Sequence, residues 1–218
     1  MKKKVPVILA VLLLIIGVGI MAYPAVSQFV NRQNGSYAIT DFENQMKNLA
    51  QEEIQEQLRL AMEYNQAVAS GEQPEGYEDI LNLAGGMMGY IEIPEIDIYL
   101  PIYHGVSEEV LSKGIGHMPN SAFPIGGEGN HAVLTGHTGL PSAKLFTDLT
   151  ELEEGDRFYI HILDLVLCYT VDQIKVVLPN EGQDLSIVPG KDYCTLVTCT
   201  PYGINSHRLL VRGIRTDA

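Results

Sequence analysis

From Val5 to Tyr23 the chain carries no charge and is dominated by Val, Ile and Leu. Nothing else in the sequence restricts the fold so firmly. Nineteen residues at about 1.5 Å each make roughly 28 Å of helix, close to the ~30 Å hydrocarbon thickness of a bilayer. Lys2, Lys3 and Lys4 precede the run; the excess of cytoplasmic positive charge keeps them inside and sends everything after Tyr23 outside. Ala25-Val26-Ser27 has the small-x-small form of a cleavage site, which makes a cleaved signal peptide the competing reading. The apolar run exceeds the usual ~7–15 residues of a signal peptide, so an uncleaved anchor is expected. Either way the remainder is exported. The expectation is a single-pass protein of the cell membrane with its main domain extracytoplasmic.

An exported domain usually pairs its cysteines, and this chain has three. Cys194 and Cys199 cannot pair within one strand. Five residues at ~3.3 Å separate them by about 16 Å, against the ~4–7 Å between Cα atoms that a disulfide tolerates. Cys168 with Cys194 is left open. No Cys-x-x-Cys or His-x-x-x-His spacing occurs, so neither a metal site nor a cofactor is expected. The formal net charge of −13 argues against nucleic acid as a partner, because phosphate binding needs clustered Lys and Arg.

Three sections follow from the pattern: the cytoplasmic lysines and anchor over 1–23, a juxtamembrane helical segment and loop over 24–86, and a catalytic β-barrel domain over 87–218. Between Ile39 and Val68 the apolar positions Ile39, Phe42, Met46, Leu49, Ile54, Leu58 and Met62 recur mostly at steps of three to four. That spacing predicts one or two amphipathic helices. Ser70-Gly71-Glu72-Gln73-Pro74-Glu75-Gly76 ends them in a loop. From Gly89 the pattern changes to short β-type runs: Tyr90–Ile93, Ile96–Leu100, Ile102-Tyr103, His131–Thr135, Arg157–Ile162, Leu165–Lys175, Tyr193–Cys199 and Arg208–Ile214. About eight strands with Pro/Gly punctuation predict an all-β, closed or nearly closed barrel.

Chemistry points to Cys199. Leu196-Val197-Thr198-Cys199 reads as a strand end, because Pro201 removes a donor and Tyr202-Gly203 turns the chain. Arg208 opens the next strand. If the two runs pair antiparallel, its guanidinium comes close to the thiol and offers a fork of donors to a carbonyl or oxyanion. A cysteine nucleophile also needs an acid/base. Gly136-His137-Thr138-Gly139 is a strand-end loop after Val133-Leu134-Thr135, the setting where catalytic groups concentrate. His207 is the second choice, and His161, inside a strand, reads as structural.

The run Thr195-Leu196-Val197-Thr198-Cys199-Thr200-Pro201-Tyr202-Gly203-Ile204-Asn205-Ser206-His207-Arg208-Leu209-Leu210-Val211-Arg212-Gly213 resembles the active-site signature of sortases, and its continuation after the cysteine looks like the class C, pilus-assembling branch. Leu134-Thr135-Gly136-His137-Thr138-Gly139 matches the family's histidine motif, and Gly89-Tyr90-Ile91-Glu92-Ile93-Pro94 its first strand. The resemblance implies an eight-stranded sortase-type β-barrel with an N-terminal transmembrane helix. It makes Cys199 the nucleophile, His137 the acid/base and Arg208 the stabiliser of the substrate carbonyl.

The implied reaction cleaves a Leu-Pro-x-Thr-Gly-type sorting signal and passes the acyl group to an amine. The partners would be surface proteins or pilins bearing that signal, with a pilin lysine or a peptidoglycan precursor as acceptor. Pilus polymerisation is the first reading and housekeeping attachment to the cell wall the second. A hydrolytic cysteine peptidase and a non-enzymatic binding domain are the readings outside the family. The class C pattern usually has an Asp-Pro-aromatic lid motif before the first strand, whereas this chain has Gln73-Pro74-Glu75-Gly76-Tyr77.

Overall fold

The computed structural model describes residues 5–139 and 143–217; the lysines at 2–4 lie outside them. Helix α1 runs unbroken from Val5 to Met46, and α2 spans Gln51–Ala69. Eight strands follow: β1 (Met87–Ile93), β2 (Ile98–His104), β3 (Ile115–His117), β4 (Asn130–Thr135), β5 (Arg157–Ile162), β6 (Leu165–Val177), β7 (Asp192–Thr200) and β8 (His207–Thr216). A short helix α3 (Glu108–Lys113) joins β2 to β3. The strands close into a barrel in the order β1-β2-β3-β4-β7-β8-β6-β5, with β5 pairing back to β1. Two neighbours are parallel, β2/β3 and β4/β7; the others are antiparallel.

The strand reading differs at two points. The runs on either side of Pro101 form one strand, β2, in which Pro101 pairs with Tyr90. The eighth strand is Ile115-Gly116-His117, three residues long, which carries too little alternation to be seen in a sequence. It touches its neighbours closely: a Cβ on Gly116 would lie 2.3 Å from the Gly105 carbonyl oxygen. Gly89 of β1 is equally confined, its Cβ position being 2.2 Å from the His161 carbonyl oxygen.

Alternation along the strands sorts the side chains into two sets. Ile91, Ile93, Leu134, Ile160, Leu196, Leu209 and Val211 share the barrel core. Val133, Val197 and Leu210 face outward and form a separate apolar patch with Met118, Val177 and Leu185. That outer patch lies beside the site described below.

The amphipathic spacing begins at Ile39, yet the helix begins at Val5, because periodicity appears only where one face of α1 is buried. Ile39 and Phe42 pack on Met87, Tyr90 and Tyr103, and the Tyr90 hydroxyl donates to Glu43 over 2.8 Å. An Arg32–Asp97 ion pair of 2.8 Å ties the helix to the barrel. Arg32 stands nine residues after Tyr23, about 13 Å along the axis. Upstream, side chains such as Leu12, Leu14 and Ile16 project away from the barrel, and α1 is long and apolar enough to cross a membrane.

Helix α2 packs through Ile54, Ala61 and Tyr64, while Asn65 exchanges two hydrogen bonds with the Phe123 backbone, at 2.7 and 3.0 Å. The segment between α2 and β1 is pinned by Tyr77. Its hydroxyl donates to the His117 carbonyl over 2.9 Å and accepts from the Gly105 amide over 3.0 Å. Its ring stacks on Phe123 and His117, at 5.5 and 5.7 Å. Burial pushes His117 down to about 4, so it stays neutral in this stack.

Candidate active site

Strands β7 and β8 form a hairpin in which Cys199 stands opposite Arg208, two register steps beyond the outward-facing pair Val197–Leu210. Cys199 and Arg208 therefore share the outer face of the barrel at the hairpin's turn end. The expectation that these two residues meet across a ladder is met by the pairing itself. Arg208 is half-buried, and its Nη1 donates to the carbonyls of His207 (3.0 Å) and Asn205 (3.3 Å). Those two bonds hold the guanidinium against the turn beside Cys199.

Strand β4 runs parallel to β7 with Thr135 opposite Val197. The pairing continues past the strand end, where the Gly136 amide donates to the Val197 carbonyl over 3.1 Å. The Thr198 hydroxyl, buried, donates to the Gly136 carbonyl over 2.8 Å. Position 136 is tightly packed, since a Cβ there would lie 2.7 Å from the Ile115 side chain and 2.8 Å from the Phe146 ring and would force both to shift. Parity then carries Val133, Thr135 and His137 along one face, as it carries Val197 and Cys199 along its neighbour. By register, Cys199 on β7 and Arg208 on β8 share the outer face, and His137 follows two residues after Thr135 of the adjacent β4.

The His137 loop is held from several sides. The Phe146 amide donates to the His137 carbonyl over 3.1 Å, and the Gly139 amide to Thr147 Oγ1 over 3.1 Å. Gly139 adopts φ +75°, the left-handed region that suits glycine, and its Cβ position lies 3.0 Å from the Tyr202 ring. Tyr202 of the β7–β8 turn therefore rests on the histidine loop. His137 Nε2 is screened from solvent and has no hydrogen-bond partner; it lies 3.3 Å from Glu108 Oε2, outside bonding alignment.

His207 is set apart from these residues. It pairs with Thr200, one step from the Cys199–Arg208 pair, so its side chain leaves the opposite face. Its Nδ1 instead meets Ser206 Oγ at 2.9 Å. His161 stacks on Tyr90 with 4.2 Å between centroids, in the structural role expected of it. His104, His117 and His131 are buried, and burial holds each below its ordinary value. His137→Ala is therefore expected to lower transfer by at least about 10²-fold, the usual worth of general acid–base catalysis, and His207→Ala by less than about fivefold. Steady-state rates of the two variants check the order.

All three thiols are free, including Cys168 and Cys194, whose pairing the sequence left open. Cys194 is buried, and desolvation with the nearby Asp192 charge drives its thiol well above the ordinary value. Cys199 is the only one of the three that reaches solvent. Among the described residues no three His, Cys, Asp or Glu side chains converge as metal ligands.

Sequence reasoning overlooked Glu108 and the outer apolar patch. The patch had a signal: Val133 and Val197 share the parity of His137 and Cys199. Glu108 had none, since its position depends on the β2–β3 crossover. The segment from Ser70 to Gly86 is fastened through Tyr77, the Ile80 carbonyl on His104 Nε2 (2.7 Å) and the Leu81 amide on Gln57 Oε1 (2.7 Å). These contacts lie on α2, β2 and β3.

Comparisons with known proteins show the family. A family model described as the sortase domain matches residues 91–216. The chain belongs to the sortase family, and it is a sortase-type cysteine transpeptidase. Among solved structures it is similar to sortase C of Clostridium perfringens, with its C-terminal cell wall sorting motif. That match has 47% identity and a TM-score of 0.79, covering 84% of this chain and all of that one. Sortase C1 of Streptococcus agalactiae is similar at 44% identity, TM-score 0.79, over 84% of this chain and 99% of that one. Among curated relatives, a Sortase A of Streptococcus agalactiae is 28% identical over 88% of this chain and 77% of its own length.

Proposed function

We propose that this sortase uses Cys199 as nucleophile, His137 as acid/base and Arg208 as oxyanion donor to polymerise pilus subunits. The pairing of Cys199 with Arg208 across β7–β8, with His137 in the loop just past the end of β4, is the observation that supports it. The Cys199 thiolate adds to the carbonyl between Thr and Gly of a Leu-Pro-x-Thr-Gly-type signal, forming a C–S bond and an oxyanion. The Arg208 guanidinium donates to that oxyanion. Collapse breaks the C–N bond, and the departing Gly amine takes a proton from the His137 imidazolium, leaving a thioester. An incoming amine then adds to the thioester, His137 removes its proton, and the Cys199 thiolate leaves.

The pilus reading draws support from the identities: 44–47% to sortase C structures, against 28% to the Sortase A relative. In this reading α1 spans the cell membrane and presents the barrel on the outer side. The remaining division of the chain is the one the sequence predicts, with catalysis in 87–218. Full-length protein in detergent, given a sorting-signal peptide and competing amines, tests it by product mass. A lysine-bearing pilin peptide is the expected acceptor. Exclusive transfer to a peptidoglycan-type amine would establish the housekeeping role instead, and release of the free acid alone a hydrolase.

A further inference from the structure

We propose that Glu108 receives the incoming amine, making the acceptor side of the site selective for a cationic primary amine. The proposal rests on the transpeptidase reading and adds to it a residue for the second substrate. Glu108 opens α3, whose first turn is fixed by Ser107 Oγ accepting from the Val110 amide over 3.3 Å. Directly after α3, β3 pairs Gly116 with Thr135 of β4. This connection brings the start of α3 to the end of β4, and so to His137.

The carboxylate arrives poised rather than engaged. Glu108 Oε2 lies 3.3 Å from His137 Nε2, without the alignment of a hydrogen bond, and its side chain is 80% exposed. The adjacent Glu109 turns instead toward Lys113, at 3.5 Å. Among the described residues, His137 is the only basic side chain within ion-pair distance of Glu108. One carboxylate therefore faces both solvent and the imidazole that must take a proton from the acceptor.

The second half-reaction needs such a group. A lysine amine, with a reference pKa near 10.4, reaches the site as an ammonium and cannot attack until it loses a proton. An ammonium bonded to Glu108 at ordinary hydrogen-bond distance also comes within reach of His137 Nε2, which takes one proton before the freed nitrogen attacks the thioester; the second proton, shed as the amide forms and Cys199 leaves as thiolate, passes to solvent. Because Glu108 is largely exposed, holding a cation there requires little desolvation of the carboxylate. A neutral nucleophile gains nothing from the same charge.

The test compares lysine-bearing peptide with hydroxylamine, which is neutral at pH 7.5, as acceptors for the thioester of the full-length protein. Glu108→Gln is expected to raise the KM for the lysine acceptor about three- to tenfold. The lysine-over-hydroxylamine preference falls by the same factor, and Glu108→Asp recovers part of it. An unchanged preference would overturn the proposal. So would an equal fall with both nucleophiles, which would mean that Glu108 acts only by orienting His137. Failure of unmodified protein to form a thioester with the signal peptide would overturn the underlying reading instead, and is scored separately by intact mass.

Discussion

Cys199→Ala is expected to bring acyl transfer below detection while the protein stays folded. No other thiol can take its place. Cys168 and Cys194 are buried, and burial raises the Cys194 thiol far from ionisation. Half-buried at a strand end, Cys199 contributes little packing, so its truncation should cost less than about 1 kcal/mol. For a chain of 218 residues that amounts to a shift of no more than about 2–4 °C in Tm. Measured transfer together with a thermal melt distinguishes loss of chemistry from loss of fold. Residual transfer above the uncatalysed rate in a folded variant would remove Cys199 from the mechanism.

Arg208→Lys is expected to lose about 10²- to 10³-fold in kcat although the charge is kept. The guanidinium spends Nη1 on the carbonyls of His207 and Asn205 and still has donors to turn toward the thiol side. A lysine ammonium is a point charge on a flexible stem and cannot bond the turn and an oxyanion in one plane. The loss should fall on kcat more than on KM, because the oxyanion exists only after attack. Near-normal kcat in the lysine variant would show that positive charge alone suffices.

What could be read without a structure was local. The Cys199–Arg208 pair is nine residues apart around Pro201 and Gly203, so hairpin pairing followed from turn chemistry and strand parity. His137 was legible from a glycine-flanked strand end. The barrel order was not, because the parallel β4/β7 pair joins residues about sixty positions apart, and no local pattern encodes that distance. The same holds for Glu108, which reaches His137 only through the β2–α3–β3 crossover.

Two further elements were legible only in part. The anchor helix read over Val5–Tyr23 and the amphipathic helix read from Ile39 are one helix, joined through residues 24–38, where Pro24, Asn34-Gly35 and the lack of an apolar period give no helix signal. The segment between α2 and β1 is the second case. The glycines at 71, 76, 85 and 86 make Ser70–Gly86 costly to order, yet Tyr77 fixes it among Tyr64, His104, His117 and Phe123. Tyr77 spends its ring and its hydroxyl on Phe123 and the ends of β2 and β3.

The central claim is that Cys199 forms a thioester with the threonine carbonyl of the sorting signal. Intact-mass measurement of the full-length protein, quenched in acid during turnover of a Leu-Pro-x-Thr-Gly peptide, tests it most directly. The account predicts an adduct equal to the peptide up to Thr, less one water, located on Cys199 by peptide mapping and released by hydroxylamine. An adduct resistant to hydroxylamine or mapped to another residue, or turnover without any adduct in the Cys199→Ala protein, would contradict it.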